Sequence, residues 1–316
     1  MHKKIVVLGG GTGLSYLLRG LKEFPVDITA VITVSDNGRS TGKLRKEFNT
    51  PAVGDIRRVI TSLSGIDDPI KKMMEYRFKT SSDLDGHAVG NLILTSMLDI
   101  TGSLKESIAC LSKLLDVKHK VLPISEDSLT LMAKTKEGKV IEGEEQITQA
   151  HHYFEKIYYK KEPKVLKEVI KAIDEADLII FSMGSLYTSI LPNIICKQVK
   201  QALNKSTSPI MYLCNAMTQP GETDNYKVSD HIKLLNKYLD ERKIDVVIAS
   251  NTKVSRKMAK KYETEEQKNP VKIDKDKIKE LDVELIDEDL LVIDDHTLKH
   301  NSIKLGSLIT DYILRN

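Results

Sequence analysis

The stretch IVVLGGGTGLS, residues 5–15, decides the fold class of this chain. A run of strand-forming apolar residues, Ile5–Leu8, stops at three glycines, and a helical pattern of leucines begins at Leu14. Glycine can adopt positive φ and lets a ligand approach the main chain, because it has no Cβ. A glycine loop between a strand and a helix also presents amides and a helix dipole to an anion. The stretch predicts a phosphate-binding turn, with a tight packing turn as the alternative.

The segment after this loop extends the same pattern. Pro25 ends the first helix, and a second buried strand is predicted at Ile28–Val34. A strand–turn–helix–strand unit predicts a right-handed crossover and a parallel sheet. Two alternating runs around Glu137-Gly138 predict a hairpin, and a further strand is expected at Tyr153–Tyr159.

We therefore predict an α/β fold: a Rossmann-like, doubly wound, mainly parallel sheet with helices on both faces and a small β-hairpin insertion. Residues 1–316 are expected to form one domain. We expect a β-rich insertion at about 120–160 and a highly charged C-terminal portion at about 253–316. One continuous helical stretch is predicted over Gly90–Leu115.

Composition excludes several classes of protein. Of the 316 residues 41% are hydrophobic, 5% are aromatic and none is tryptophan, so a core is expected but base-stacking platforms for nucleic acid are not. The net charge of +3 is also low for a nucleic-acid binder. The three cysteines lack metal-ligand spacing and fit a reduced compartment. We find no run of about 18 apolar residues, which predicts a cytoplasmic protein without a membrane span.

The glycine loop departs from two well-known phosphate loops. The pattern G-x-G-x-x-G, started at Gly9, would need glycine where Leu14 stands. The pattern G-x-x-x-x-G-K-[ST] fails at Gly38 to Gly42-Lys43, which is one residue short. The loop therefore indicates diphosphate or nucleotide binding without fixing the ligand.

Two carboxylates accompany the loop. Asp36 comes just after the second predicted strand, and Asp55 opens a predicted helix. Mg²⁺ commonly takes one or two carboxylates together with phosphate oxygens, so the pair predicts a magnesium site. An ordinary helix N-cap is the alternative for Asp55. Arg39 and Arg57 lie close in sequence and are candidates to clamp a phosphate or to be surface charges.

Polar side chains elsewhere are expected at the same cleft. His87 and Asn91 are four residues apart and would share one helical face if a helix starts here, which predicts a polar pair pointing into a cleft, with a structural histidine as the alternative. Segment 184–189 follows a buried strand and is rich in glycine and hydroxyl groups, which predicts a second anion site. Asn215 follows the next strand. The cluster Asp294-Asp295-His296 is isolated, so we assign it no site.

An ordered set of segments resembles one family, the YvcK-like gluconeogenesis factors within the superfamily of the 2-phospho-L-lactate transferase CofD. The resemblance runs from Lys4 to about Ser250 and more weakly to the end. The segments are GGGTGLS (9–15), TVSDNGRSTGKLR (33–45), GDIR (54–57), GHAVGNL (86–92), GSLYTSILPN (184–193) and CNAMTQPGETDNY (214–226).

The resemblance implies a cytoplasmic protein that binds a UDP-sugar or another nucleoside diphosphate and supports cell shape and cell-wall synthesis during gluconeogenic growth. Cell-wall or signalling proteins are the implied protein partners, and we expect a homo-oligomer. The alternative is a Mg²⁺-dependent transferase of a phospholactyl or phosphoenolpyruvyl group, in which Asp36 and Asp55 would be catalytic and hold the metal. The expected ligand contacts are Gly9, Gly10, Gly11, Thr12, Gly13, Asp36, Asn37, Ser40, Arg57, His87, Asn91, Gly184, Ser185, Tyr187, Thr188 and Asn215.

The chain also departs from the family pattern. The family usually carries Asp-Asp-Gly-Gly-Ser, whereas this chain has Asp36-Asn37-Gly38-Arg39-Ser40. The second carboxylate is therefore an amide here, which leaves Asp36 to act with Asp55. The family's Arg-His-Asp near the end is Lys299-His300-Asn301 in this chain.

Overall fold

A computed structural model describes residues 2–150, 154–294 and 297–315 of the protein. Tyr153, Asp295 and His296, which belong to two of the segments considered above, lie outside the described residues. The strands β1 to β12, in chain order, are Lys3–Gly9, Val26–Ile32, Lys120–Pro123, Leu131–Thr135, Val140–Glu142, Phe154–Tyr159, Leu178–Phe181, Ile210–Leu213, Val246–Ser250, Glu284–Glu288, Leu291–Asp294 and Thr297–His300.

Helices surround these strands, and the segment Leu186–Ile190 forms a π-helical turn. The helices α1 to α14, in chain order, are Gly11–Leu21, Arg39–Phe48, Gly54–Leu63, Asp68–Glu75, Val89–Thr101, Leu104–Leu114, Glu144–Gln149, Lys167–Asp174, Leu191–Ile194, Lys197–Lys205, Val228–Leu239, Arg256–Glu266, Lys275–Glu280 and Ser302–Arg315. None of the helices in the described ranges combines the length and apolar character that crossing a bilayer requires.

The glycine stretch forms the predicted β-to-α unit. β1 ends at Gly9 and α1 begins at Gly11, with Gly10 as its extended N-cap. The α1 residues Leu14 and Leu17 have no exposed surface, because they pack under the sheet with the apolar side chains of β1. Strands covered on both faces need continuous apolar runs, which is the pattern of Ile5–Leu8.

In the described part of the chain, seven strands form one sheet in the order β10-β9-β8-β7-β1-β2-β3, and every neighbouring pair is parallel. The predicted doubly wound, mainly parallel fold is confirmed. The chain moves from β1 toward β3 on one side and from β7 toward β10 on the other, so the order reverses between β1 and β7. Sheets of this kind bind ligands beyond the carboxyl ends of their strands at that switch point.

The hairpin is also confirmed. β4 pairs antiparallel with β5, and β6 adds a third strand on the other edge of β4. β3, which falls within the range expected for the insertion, instead belongs to the main sheet, where Thr29 pairs with Lys120. Its half-buried apolar run suits the parallel edge beside β2. The small sheet therefore spans 131–159, with α7 between β5 and β6.

The single helix expected over Gly90–Leu115 is wrong. Gly102 adopts φ +70° and ends α5, and the Ser103 hydroxyl caps α6 by accepting the Glu106 amide. A left-handed glycine followed by a serine cap stops one helix and starts another.

Candidate functional site

A cleft of about 340 Å³ lies at the carboxyl ends of β1 and β2. The start of α1, the loop before α2, the start of α3 and helix α7 form its walls. Acidic and basic side chains both line it, so the cleft offers partners to an anion and to a cation. The expected contact residues that line the cleft are Gly11, Asp36, Ser40, Arg57, Asn91 and Thr188, and Asp55 lines it too.

The glycines of the loop differ in whether they contact a neighbouring segment of the chain or line the cleft. An added Cβ at Gly9 would overlap Ser182 Oγ, and one at Gly13 would overlap the carbonyl of Met183. These two glycines therefore let the segment after β7 pack against the loop. Gly11 differs, because it adopts φ +69° and lines the cleft. The packing alternative thus describes Gly9 and Gly13, and Gly11 is the loop glycine that reaches the cleft.

The Asp55 side chain accepts a hydrogen bond from one main-chain amide of this loop. Its Oδ2 accepts the Gly11 N–H at 2.6 Å, and its Oδ1 lies 3.2 Å from Arg58 Nη1. Val53, not Asp55, is the N-cap of α3, so the N-cap alternative for Asp55 is wrong. Burial and the nearby Asp36 charge raise the pKa of Asp55. An anion placed against Gly11 would therefore meet a carboxylate as well as an amide.

Glu144 is a third carboxylate of the cleft that the sequence patterns do not reveal. It begins α7, accepts a hydrogen bond from the Thr148 hydroxyl at 3.4 Å, and lies near the Thr188 hydroxyl. Burial and the charge of Asp36 raise the pKa of Glu144 to about 7. Glu144 belongs to an insertion far along the chain from Asp36, so no local spacing links the two.

Asp36 and Asn37 face different neighbours. The Asp36 carboxylate lines the cleft and accepts the Gly38 N–H at 2.9 Å. Asn37 instead contacts α7: its Oδ1 accepts the Glu145 N–H at 2.8 Å and its Nδ2 donates to Gln146 Oε1 at 3.0 Å. Asn37, expected to contact the ligand, thus connects α7 to the loop after β2 and does not line the cleft.

Ser40 contacts both His87 and Asn91, two of the predicted ligand-binding residues. Its Oγ lies 3.1 Å from His87 Nδ1 and accepts the Asn91 Nδ2 donor at 3.2 Å. α5 begins at Val89, so the condition for a shared helical face is not met, and His87 lies before the helix that carries Asn91. The two side chains converge because both reach Ser40.

Arg57 is fully buried on the same wall of the cleft. Its Nε donates to Asn91 Oδ1 at 3.2 Å, and its Nη1 forms an ion pair with Glu75. Burial lowers the pKa of Arg57, and Glu75 opposes that effect. The guanidinium is therefore held by two protein partners at the back of the cleft.

The polar groups of the segment after β7 mostly form hydrogen bonds with other residues of the protein. Gly184 and Asn215 exchange two hydrogen bonds, of 2.8 and 2.7 Å. The Ser185 hydroxyl donates to Glu222 at 2.7 Å, and burial raises the pKa of Glu222 to about 7. Tyr187 is buried and packs edge-to-face on an aromatic ring of β6.

Thr12 lies outside the cleft. It lines a neighbouring cavity of about 550 Å³ between α1, α3 and α4. Arg58 lines both cavities, so they meet at this side chain.

The acidic residues of the cleft suit a cation that arrives with its ligand. Across residues 2–150, 154–294 and 297–315, His, Cys, Asp and Glu side chains form no group of three or more able to hold a metal ion unaided. The charge of Asp36 nevertheless raises the pKa of both Asp55 and Glu144, so the three carboxylates lie close together. Mg²⁺ usually completes its shell with phosphate oxygens and water, so a phosphate-bearing ligand would supply the missing donors.

Comparison with known proteins agrees with this architecture. The family model "2-phospho-L-lactate transferase CofD" matches residues 5–291. A crystal structure of a protein from Bacillus halodurans superposes with a TM-score of 0.95 at 40% identity, covering 98% of this chain and 100% of that chain.

Curated relatives match over nearly their whole length. The "Gluconeogenesis factor" of Bacillus subtilis is 40% identical over 311 residues, covering 98% of this chain and 98% of the relative. The protein of the same name from Listeria monocytogenes is 34% identical and covers 97% of this chain and 94% of the relative. The chain therefore belongs to the CofD family, in which full-length relatives carry the name gluconeogenesis factor.

Proposed function

We propose that this chain is a gluconeogenesis factor that binds a nucleotide sugar, a UDP-sugar, in the cleft beside β1 and β2. It acts in the cytoplasm through protein partners and supports cell shape and cell-wall synthesis during gluconeogenic growth. The name of its relatives and the nucleotide-type ligand suggested by the family support this proposal.

One observation carries the proposal: the cleft lies at the carboxyl ends of β1 and β2, next to the switch point of the sheet, and its lining combines a loop glycine with carboxylates and guanidinium groups. A nucleoside diphosphate is an anion that often brings Mg²⁺, so it needs both kinds of side chain. Arg58 borders both this cleft and the neighbouring cavity, so a long ligand bound in the cleft would have the second cavity next to it.

The contact between Asp55 and Gly11 changes the expected role of Asp55. Because its carboxylate already accepts the Gly11 amide, a diphosphate in contact with Gly11 would be repelled unless a cation lay between them. Asp36 and Asp55 would hold Mg²⁺, and the metal would supply positive charge to the diphosphate oxygens. Ser40 and Thr188 would offer hydroxyl groups to the ligand.

Isothermal titration calorimetry with UDP-N-acetylglucosamine, with and without Mg²⁺, tests the proposal. Wild-type protein should bind in Mg²⁺, and Asp36→Asn should weaken that binding at least ten-fold. Asp99→Asn is a matched control, because Asp99 is exposed on α5 away from the cleft. Absence of binding at millimolar ligand by folded protein would rule the proposal out.

A second candidate is a Mg²⁺-dependent transferase acting on a nucleoside diphosphate derivative. The observation in its favour is Glu144, whose pKa of about 7 suits a group that takes up or releases a proton near neutral pH. Mg²⁺-dependent turnover of phospholactyl or phosphoenolpyruvyl guanosine diphosphate, abolished in Asp55→Ala, would support it. Stoichiometric binding of these compounds without turnover would leave binding as the function.

A further inference from the structure

Two arginines of the cleft carry charge that no protein carboxylate neutralises in the described ranges. Arg39 forms neither a hydrogen bond nor an ion pair there, and it is exposed at the cleft. Arg77 donates its Nη1 to the carbonyl of Gly86 at 2.8 Å and has no carboxylate partner among those residues. By contrast, the guanidinium groups of Arg57 and Arg58 are both in ion pairs.

Arg39 also holds an unusual backbone conformation. It is the first residue of α2 and has φ +46°, in the left-handed region that favours glycine. This backbone shape suits glycine, so the protein holds an arginine at a position where its side chain is not favoured by the local conformation. Strained residues that line a cleft often have a role there, since nothing in local packing favours them.

The other charged side chains of the cleft indicate which group of a ligand Arg39 would bind. Asp36 and Glu144 belong to the acidic part of the lining residues, and Arg39 and Arg77 belong to the basic part. A guanidinium binds a phosphate or carboxylate through two parallel N–H donors, which suits it to an anionic group of a ligand. A ligand that carries both an anion and a cation would satisfy both parts of the lining.

We propose that Arg39 and Arg77 bind an anionic oxygen group, a phosphate or a carboxylate, of the ligand, and that Arg39 sets the ligand preference of this chain. The inference rests on the proposed nucleotide-binding function and deepens it. The two sources of the anion are the diphosphate of the nucleotide and an acidic group on its sugar.

Three variants isolate the contribution of Arg39. Arg39→Asn removes the charge but keeps a residue that tolerates left-handed φ, and Arg39→Lys keeps a point charge without the planar fork. Lys46→Asn is the matched control, because Lys46 is an exposed cation of the same helix that does not line the cleft.

The probes are inorganic pyrophosphate, UDP, UDP-N-acetylglucosamine and UDP-glucuronic acid, titrated in Mg²⁺ by calorimetry. Arg39→Asn should weaken binding at least ten-fold, Arg39→Lys should weaken it less, and Lys46→Asn should leave it unchanged. Circular dichroism and the unfolding midpoint establish that each variant is folded. Arg77→Gln should act in the same direction as Arg39→Asn.

The pattern of losses identifies the source of the anion. An equal loss for UDP and both sugars assigns the arginines to the diphosphate, whereas a loss confined to UDP-glucuronic acid assigns them to the sugar carboxylate. Unchanged affinity of folded Arg39→Asn for every probe that the wild type binds overturns the inference. Pyrophosphate binding that depends on Arg39, without binding of any nucleotide, would defeat the proposed function alone. No binding of any probe would defeat both.

Discussion

The Asp55 carboxylate accepts the amide of Gly11 at 2.6 Å and so joins the start of α3 to the start of α1. This bond makes the glycine loop different from an open phosphate cradle. One of its amides is already satisfied, and the charge that satisfies it is buried and next to Asp36.

We expect opposite effects from two substitutions of Asp55. Asp55→Ala leaves the Gly11 amide without its partner, which should lower the free energy of unfolding by about 1–3 kcal/mol. Asp55→Asn keeps an acceptor and removes a buried charge, so it should preserve or raise stability at pH 8. Both variants should lose Mg²⁺-dependent binding.

Urea unfolding and calorimetry on the same samples check this prediction. The direction follows from linkage: an acid whose folded pKa is raised stabilises the fold when protonated, and this stability is lost as the pH rises through the folded pKa. A destabilised Asp55→Asn that still binds ligand would contradict our account.

Glu144 should make cation binding depend on pH. Its pKa of about 7 means that it carries a proton over much of the range between 4.5 and 7 when the cleft is empty. A metal competes with that proton, so Mg²⁺-dependent ligand affinity should rise between pH 6 and pH 8. Titrations across this range measure it.

Glu144→Gln should flatten this part of the pH profile, whereas Glu142→Gln should retain it. Glu142 is exposed and paired with Lys160, so it is a control from the same insertion. An identical slope in wild type and Glu144→Gln would show that another group titrates.

Glu222 should control stability and leave the ligand site intact. Its carboxylate is 3% exposed, and its pKa is raised from 4.5 to about 7. The folded state therefore holds a proton that the unfolded state releases, and stability falls by up to about 3 kcal/mol as pH rises from 4.5 to 7. Glu222→Gln should remove this fall and stay folded at pH 8.

Unfolding midpoints in urea at several pH values measure the effect, with Glu241→Gln on the surface as the control. Glutamine can still accept the Ser185 hydroxyl, so the helical turn after β7 should persist. If Glu222→Gln keeps the wild-type pH dependence of stability, a group other than Glu222 takes up the proton.

Alanine substitutions of two loop glycines should distinguish a packing role from a role in ligand binding. Gly13→Ala would press its Cβ on the Met183 carbonyl and should cost about 1–3 kcal/mol or more of stability. Gly11→Ala has room, since the nearest atom is 3.7 Å away, and should cost only about 1 kcal/mol for its positive φ.

Gly102→Ala is the matched backbone control, because Gly102 has φ +70° and open space around it. Gly11→Ala should resemble Gly102→Ala in urea unfolding but should weaken ligand binding, whereas Gly102→Ala should not. Equal binding by both variants would remove Gly11 from the ligand site.

The residue pattern alone determined the parallel sheet and the sheet edge at which the two aspartates come together. Ile5–Leu8 is apolar throughout because both faces of its strand are covered, and Leu14 begins the face of α1 that packs beneath it. Asp36 and Asp55 were identifiable because each lies near an element boundary that such a sheet brings to one edge.

Only the tertiary structure decided which polar atoms meet. Asn37 contacts the backbone of Glu145 from 108 positions away, and this contact sets α7 beside the cleft with Glu144. In the same packed structure the Gly11 amide donates a hydrogen bond to Asp55. Arg39 lines the cleft and has no hydrogen-bond or ion-pair partner among the described residues. Spacing along a chain encodes periodicity, but hydrogen-bond partners follow from distances that exist only once the insertion has packed on the sheet.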